Sequence, residues 1–137
     1  MWTTEHSVET TAKPEAIWGL WADVAGWGAW NADIAAVELD GEFAVGGTIT
    51  MTPRDDDPVV LRLVEVVEGE HFVDETVFGG ALIRTDHRIE RLADARTRVV
   101  YRMEISGASA DTVGPEIGPA ITADFPETIA ALVAAAG

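Results

Sequence analysis

Apolar residues along the first third of the chain pass from alternation to helical spacing. Trp2–Thr10 sets Trp, Thr and Val at alternate places and predicts a first strand at a sheet edge. From Pro14 the spacing changes: Ile17, Leu20, Trp21 and Val24 recur at i, i+3, i+4 and i+7, one face of an amphipathic helix. Pro14 suits the first helical position and Glu15 suits the positive end of the helix dipole. Gly26 reads as the helix stop, and Asp23 is placed to cap a second short turn carrying Trp27 and Trp30. Four of the chain's five tryptophans, Trp18, Trp21, Trp27 and Trp30, fall in this stretch. So short a helical pair cannot bury that much aromatic surface alone and must close over a concave surface made elsewhere. Trp18 and Trp21 read as core. Trp27 and Trp30 flank Gly28 on a loop-like, flexible segment and read as the lining of a pocket.

Short strands then follow one another with no helix between them. Ile34–Leu39 ends at Asp40-Gly41, and Thr48–Thr52 follows Gly46-Gly47. Asp55-Asp56-Asp57 lacks the spaced ligands of a calcium loop and reads as solvated. Val59–Val67, His71–Phe78, Ala81–Leu92 and Arg96–Ser106 complete an antiparallel meander, joined by a two-residue turn at Glu68-Gly69, a hairpin at Gly79-Gly80 and a turn at Ala93–Ala95.

Charge fixes the register of the last hairpin. With Leu92 opposite Arg96, Glu90 faces Arg98, Asp86 faces Arg102 and Arg84 faces Glu104, three opposite-charge pairs on one outward face. That face is left to solvent or to a second copy of the chain in a homodimer. The other face carries Ile83, Thr85, His87 and Ile89 against Ile105, Met103, Tyr101 and Val99. Through the Gly79-Gly80 turn, Phe72 faces His87 and Asp74 faces Thr85, which adds Phe72, Asp74, Thr76 and Phe78 to the inner face. Asp74, His87 and Tyr101 are thereby expected together on an otherwise apolar wall. Beyond the sheet, Ile117, Ile121, Phe125, Ile129 and Leu132-Val133 form a helical stripe over Asp111–Gly137, which Pro126 should bend.

The pattern Pro14, Ile17-Trp18, Asp23, Trp27, Trp30-Asn31, followed by Gly41 and Gly46, resembles the polyketide cyclase/dehydrase-like branch of the START-related helix-grip (SRPBCC) superfamily. The likeness runs along nearly the whole chain. It implies an α+β helix-grip fold: a curved seven-stranded antiparallel sheet around a long C-terminal helix, with two short helices after the first strand. It also implies a hydrophobic ligand cavity between helix and sheet.

Composition narrows the remaining choices. The 137 residues suit one domain, 1–137. Zero cysteines exclude a disulfide scaffold and thiol chemistry. Nine basic against 24 acidic residues give a formal charge of −15, which argues against nucleic acid as a partner. No apolar run is long enough for membrane insertion, and Met1–Glu9 has no signal-peptide character, so the expected location is cytoplasmic. No phosphate loop, nucleophile elbow or dinucleotide fingerprint is present, and no cofactor is expected. His6, His71 and His87 lie on separate strands without metal-ligand spacing, and His71 reads as a solvated loop residue.

The expected function is binding of a small hydrophobic, lipid- or polyketide-like molecule in an internal cavity. Trp27, Trp30, Met103 and Phe125 would hold its body, and Asp74, His87 and Tyr101 would orient a polar group. A second reading is a polyketide aromatase/cyclase or dehydratase, with the His87–Asp74 pair moving a proton and Tyr101 bonding a developing oxyanion. A third is a partner-binding regulatory protein, which needs an exposed apolar patch.

Overall fold

The computed structural model describes residues 1–54 and 56–137. Of the triple-Asp loop, Asp55 lies outside the described residues, while Asp56 and Asp57 are exposed. Seven strands, β1 (Trp2–Thr10), β2 (Ile34–Asp40), β3 (Thr48–Pro53), β4 (Val59–Val67), β5 (His71–Phe78), β6 (Ala81–Arg91) and β7 (Thr97–Ser106), form one antiparallel sheet. Its order is β1-β7-β6-β5-β4-β3-β2, so β1 is an edge strand as its alternation predicts. The chain is a curved helix-grip sheet with two short helices after β1, α1 (Pro14–Ala22) and α2 (Trp27–Trp30), and a bent C-terminal helix.

The hairpin registers follow the charge argument. Glu90 is opposite Arg98, Asp86 opposite Arg102 and Arg84 opposite Glu104. Leu92 N–H donates to Arg96 O across the three-residue loop, at 2.9 Å. Phe72 stands opposite His87, and Asp74 opposite Thr85. The ion pairs themselves redistribute. Glu90 and Arg98 meet at 3.4 Å, but Arg84 reaches across β5 to Glu75 and on to Glu65. Asp86 pairs with Arg88 and Arg102 with Glu104 along their own strands. A same-face carboxylate on the other neighbouring strand competes with the one directly opposite. The β4–β5 connection differs from the expected two-residue turn: Val67 pairs with His71, leaving Glu68–Glu70 as a three-residue loop.

Two helix ends also differ. α1 stops at Ala22 with Asp23 as its C-cap, three residues before the expected stop, and a single 3-10 turn (Val24–Gly26) leads into α2. The C-terminal stripe divides into α3 (Ala110–Thr122) and α4 (Phe125–Ala136), with the break at Ala123-Asp124. Pro126 therefore lies in the first turn of α4, where a missing N–H breaks no helical bond, and does not bend a continuous helix. Pro115 and Pro119 sit inside α3.

α3 packs on β1, β7 and the adjoining part of β6, and α4 packs on β1 and α1. The close approach depends on Gly114 and Gly118, one turn apart, which lie against the Trp2 side chain. A Cβ on Gly118 would come 2.6 Å from the Trp2 ring, and one on Gly114 would overlap Trp2 Cβ. Gly118→Ala should lower stability by about 1–3 kcal/mol in chemical denaturation, the range for overpacking. In a Trp2→Ala background the same change should have little effect. An equal penalty in both backgrounds would contradict this contact.

Candidate functional site

β5, β6 and β7 each contribute alternate residues to the inner face, and pairing aligns them into rows. One row runs His6, Tyr101, His87, Phe72, and the next includes Thr4, Met103, Thr85, Asp74 and Leu63. Phe72 stacks on His87 at 4.0 Å between centroids and 5° between planes. Tyr101 meets His87 edge-on at 4.7 Å, and Phe125 meets Tyr101 at 5.5 Å. Trp21 covers the row from above: its Nε1–H donates to Tyr101 Oη at 3.2 Å, and its ring meets Phe72 at 5.3 Å.

The polar atoms are not all satisfied. His87 Nδ1–H donates to the Phe72 carbonyl at 3.3 Å, which leaves Nε2 with a lone pair. That atom faces Asp74 Oδ2 at 3.9 Å, beyond hydrogen-bond distance. Among the described residues no hydrogen bond reaches the Asp74 carboxylate, although Asp74 is only 5% exposed. Desolvation, with a lesser contribution from Glu75, pushes its pKa up to about 7. Desolvation lowers that of His87 to about 4, partly opposed by its bond to Phe72. Tyr101 is pushed up by burial, so it stays a neutral phenol. Near pH 7 the site thus holds a neutral imidazole, a neutral phenol and a carboxyl group poised at its titration midpoint.

The sequence-predicted residues separate into three groups. Asp74, His87, Tyr101, Met103 and Phe125 come together around these rows. Trp27 is buried one ring away, tilted on Phe72 at 6.3 Å, with its N–H donated to Trp21 O at 3.0 Å. It belongs to a turn of helix packed in the core, contrary to the expected loop. Trp30 is half-buried on α2, and its buried Nε1 lacks a partner among the described residues. Sequence reasoning missed Trp21 and His6 as members of the site. The first was read as core and is core, yet it also fixes the Tyr101 hydroxyl. The second depends on β1–β7 pairing, a contact with no local signal. His71 is not solvated: it is 9% exposed and meets Glu65 Oε1 at 3.0 Å on the outer face. The outer face also bears two charged grooves, of about 530 and 340 Å³, lined in part by Asp86, Arg88 and Arg102.

Opposed pKa shifts predict opposed pH slopes. Between about pH 4 and 7, folded Asp74 keeps a proton that the unfolded chain has lost, so its contribution to stability falls as pH rises. Between about pH 4 and 6.5, folded His87 lacks a proton that the unfolded chain holds, so its contribution rises with pH. Relative to the parent, Asp74→Asn should gain stability from pH 4 to 7, and His87→Phe should lose it from pH 4 to 6.5. Denaturant unfolding across this range checks both. Parallel curves for parent and Asp74→Asn would contradict the buried carboxyl.

Solved structures give the fold independent support. A protein from Thermobifida fusca aligns with TM-score 0.73 and 23% identity over 97% of this chain and 91% of that one. Norcoclaurine synthase from Thalictrum flavum aligns with TM-score 0.77 and 13% identity over 96% and 90%. XoxI from Bacillus cereus aligns with TM-score 0.77 and 17% identity over 99% and 96%. Identities this low speak for the fold alone. A search of curated proteins finds no match to the sequence. Among the described residues no helix is long and apolar enough to cross a membrane. The family model for polyketide cyclase/dehydrase and lipid transport matches residues 1–137, and the chain belongs to that family.

Proposed function

We propose that the protein binds a small hydrophobic molecule between the inner face of the sheet and the C-terminal helices. Asp74, His87 and Tyr101 orient its polar group, and Met103, Phe125, Trp27 and Trp30 surround its body. The supporting observation is an incompletely closed apolar flank. α3 packs on β1, β7 and part of β6, and α4 on β1, α1 and α2; the inner side of β3–β5 is closed at Ile49, Leu63 and Phe72 and less closed toward the strand ends. At the strand ends Phe78 is 56% exposed and Met51 and Leu61 are only partly buried, and on α3 Ile121 is 38% exposed. Val113 lies beside the β5–β6 turn, and Ile117 and Ile121 continue its stripe along α3 at successive i+4 positions. Apolar side chains left partly open, together with a buried carboxyl without a hydrogen-bond partner among the described residues, match the composition of small-molecule sites.

Turnover as a cyclase or dehydratase is the second reading, favoured by one observation. His87 Nε2 carries a free lone pair in the interior, which a general base needs, although burial makes it a weak base at neutral pH. Binding comes first in either case.

A neutral apolar fluorescent probe such as N-phenyl-1-naphthylamine should titrate the folded protein saturably at one site. Ile121→Glu, which puts a charge on the flank, should weaken uptake tenfold or more without moving the melting temperature. Absence of saturable uptake by the folded parent would overturn the proposal.

A further inference from the structure

Nothing on the inner wall is suited to an anion. All nine basic side chains are accounted for elsewhere. Arg62, Arg84, Arg88, Arg98 and Arg102 pair with carboxylates on the outer face. Arg91 and Arg96 pair with Glu15 and Glu9 at the sheet's end, Arg54 bonds to the Ala32 carbonyl, and Lys13 is exposed before α1. The inner wall offers instead two acceptors with no donor between them, Asp74 Oδ2 and His87 Nε2, 3.9 Å apart.

With Asp74 ionised, a single atom that satisfies both must carry at least two N–H or O–H donors. A water molecule does so, and so does an alkylammonium, which also neutralises the carboxylate. An alcohol has one such proton and a carboxylate has none. Burying a charge is tolerated when it is paired and hydrogen-bonded, and a carboxyl kept dry without a partner is otherwise costly. The path outward runs from the carboxyl past Thr76 to an apolar ring. Asp74, Thr76 and Phe78 alternate along the inner face of β5, from the buried carboxyl to the exposed ring, a span of about 13 Å at strand rise. The protein's charge of −15 further raises the local concentration of cations.

We infer that the ligand class is a lipophilic primary amine, its ammonium held between Asp74 Oδ2 and His87 Nε2 and its apolar body running along β5 toward Phe78. This rests on the binding reading above and specifies its ligand. Ionisation of Asp74 is within reach at neutral pH, and a bound cation would favour it further.

Three probes of equal chain length separate the two claims: octylamine, 1-octanol and octanoate, each titrated by calorimetry at pH 7.5 in 0.15 M salt. Octylamine should bind the parent at least tenfold more tightly than 1-octanol, with octanoate weakest. Asp74→Asn should abolish the preference, so that octylamine binds the variant no more tightly than 1-octanol does. Equal binding of amine and alcohol by the parent would overturn the amine assignment and leave the hydrophobic site standing. An amine preference that survives in Asp74→Asn would trace it to the acidic surface and overturn the assignment as well. If none of the three binds the folded parent, both readings fail. The comparison within the parent needs no variant, so it decides the matter even if Asp74→Asn does not fold.

Discussion

The pairing register of the β5–β6 and β6–β7 hairpins brings Asp74, His87 and Tyr101 to one face of the sheet. Side chains alternate across a strand, so a one-residue slip between β5 and β6 would put Asp74 on the face opposite His87, and one between β6 and β7 would do the same to Tyr101. The outer face resists that slip because it carries a lattice of opposite charges, with Arg84 bridging Glu65 and Glu75 and Glu90 meeting Arg98. Exposed pairs of this kind add little stability individually. Their effect here is on which face turns inward. The inner face reinforces the choice by stacking Phe72 on His87 and closing Trp21 over both.

Within that frame the buried carboxyl is a local conflict. Most buried polar groups find a partner within the protein. Asp74 has a neutral imidazole facing it, and that imidazole has committed its N–H to a backbone carbonyl. Asp74 Oδ2 and His87 Nε2, in neighbouring rows, thus lie side by side with no hydrogen bond between them. A site that departs from full polar satisfaction while the surrounding core is consistently packed is where function is expected.

Much of this was legible in the sequence because its causes are local. Strand boundaries followed from alternation and turn residues, and both hairpin registers followed from charge and loop length. Adjacency of Asp74, His87 and Tyr101 was then a matter of counting. The failures have different causes. Pro126 reads as a kink only along an unbroken apolar stripe; Asp124, Pro126 and Glu127 also spell a helix start, a local signal that the stripe outweighs. His71 was read as solvated because its burial comes from packing on the outer face. The fit of Trp2 over Gly114 and Gly118 joins opposite ends of the chain, and His6 reaches the Tyr101 row only through β1–β7 pairing. Those contacts are set by tertiary closure and leave no periodic trace.

Everything proposed for the interior turns on the state of one carboxyl group. A carbon-detected NMR titration of the aspartate side chains, with Asp74 assigned by its loss in Asp74→Asn, measures it directly. Burial without a partner predicts that Asp74 titrates near pH 7, well above an ordinary aspartate. A midpoint near pH 4 would mean that the carboxylate is solvated or paired, and the account of the site would be wrong.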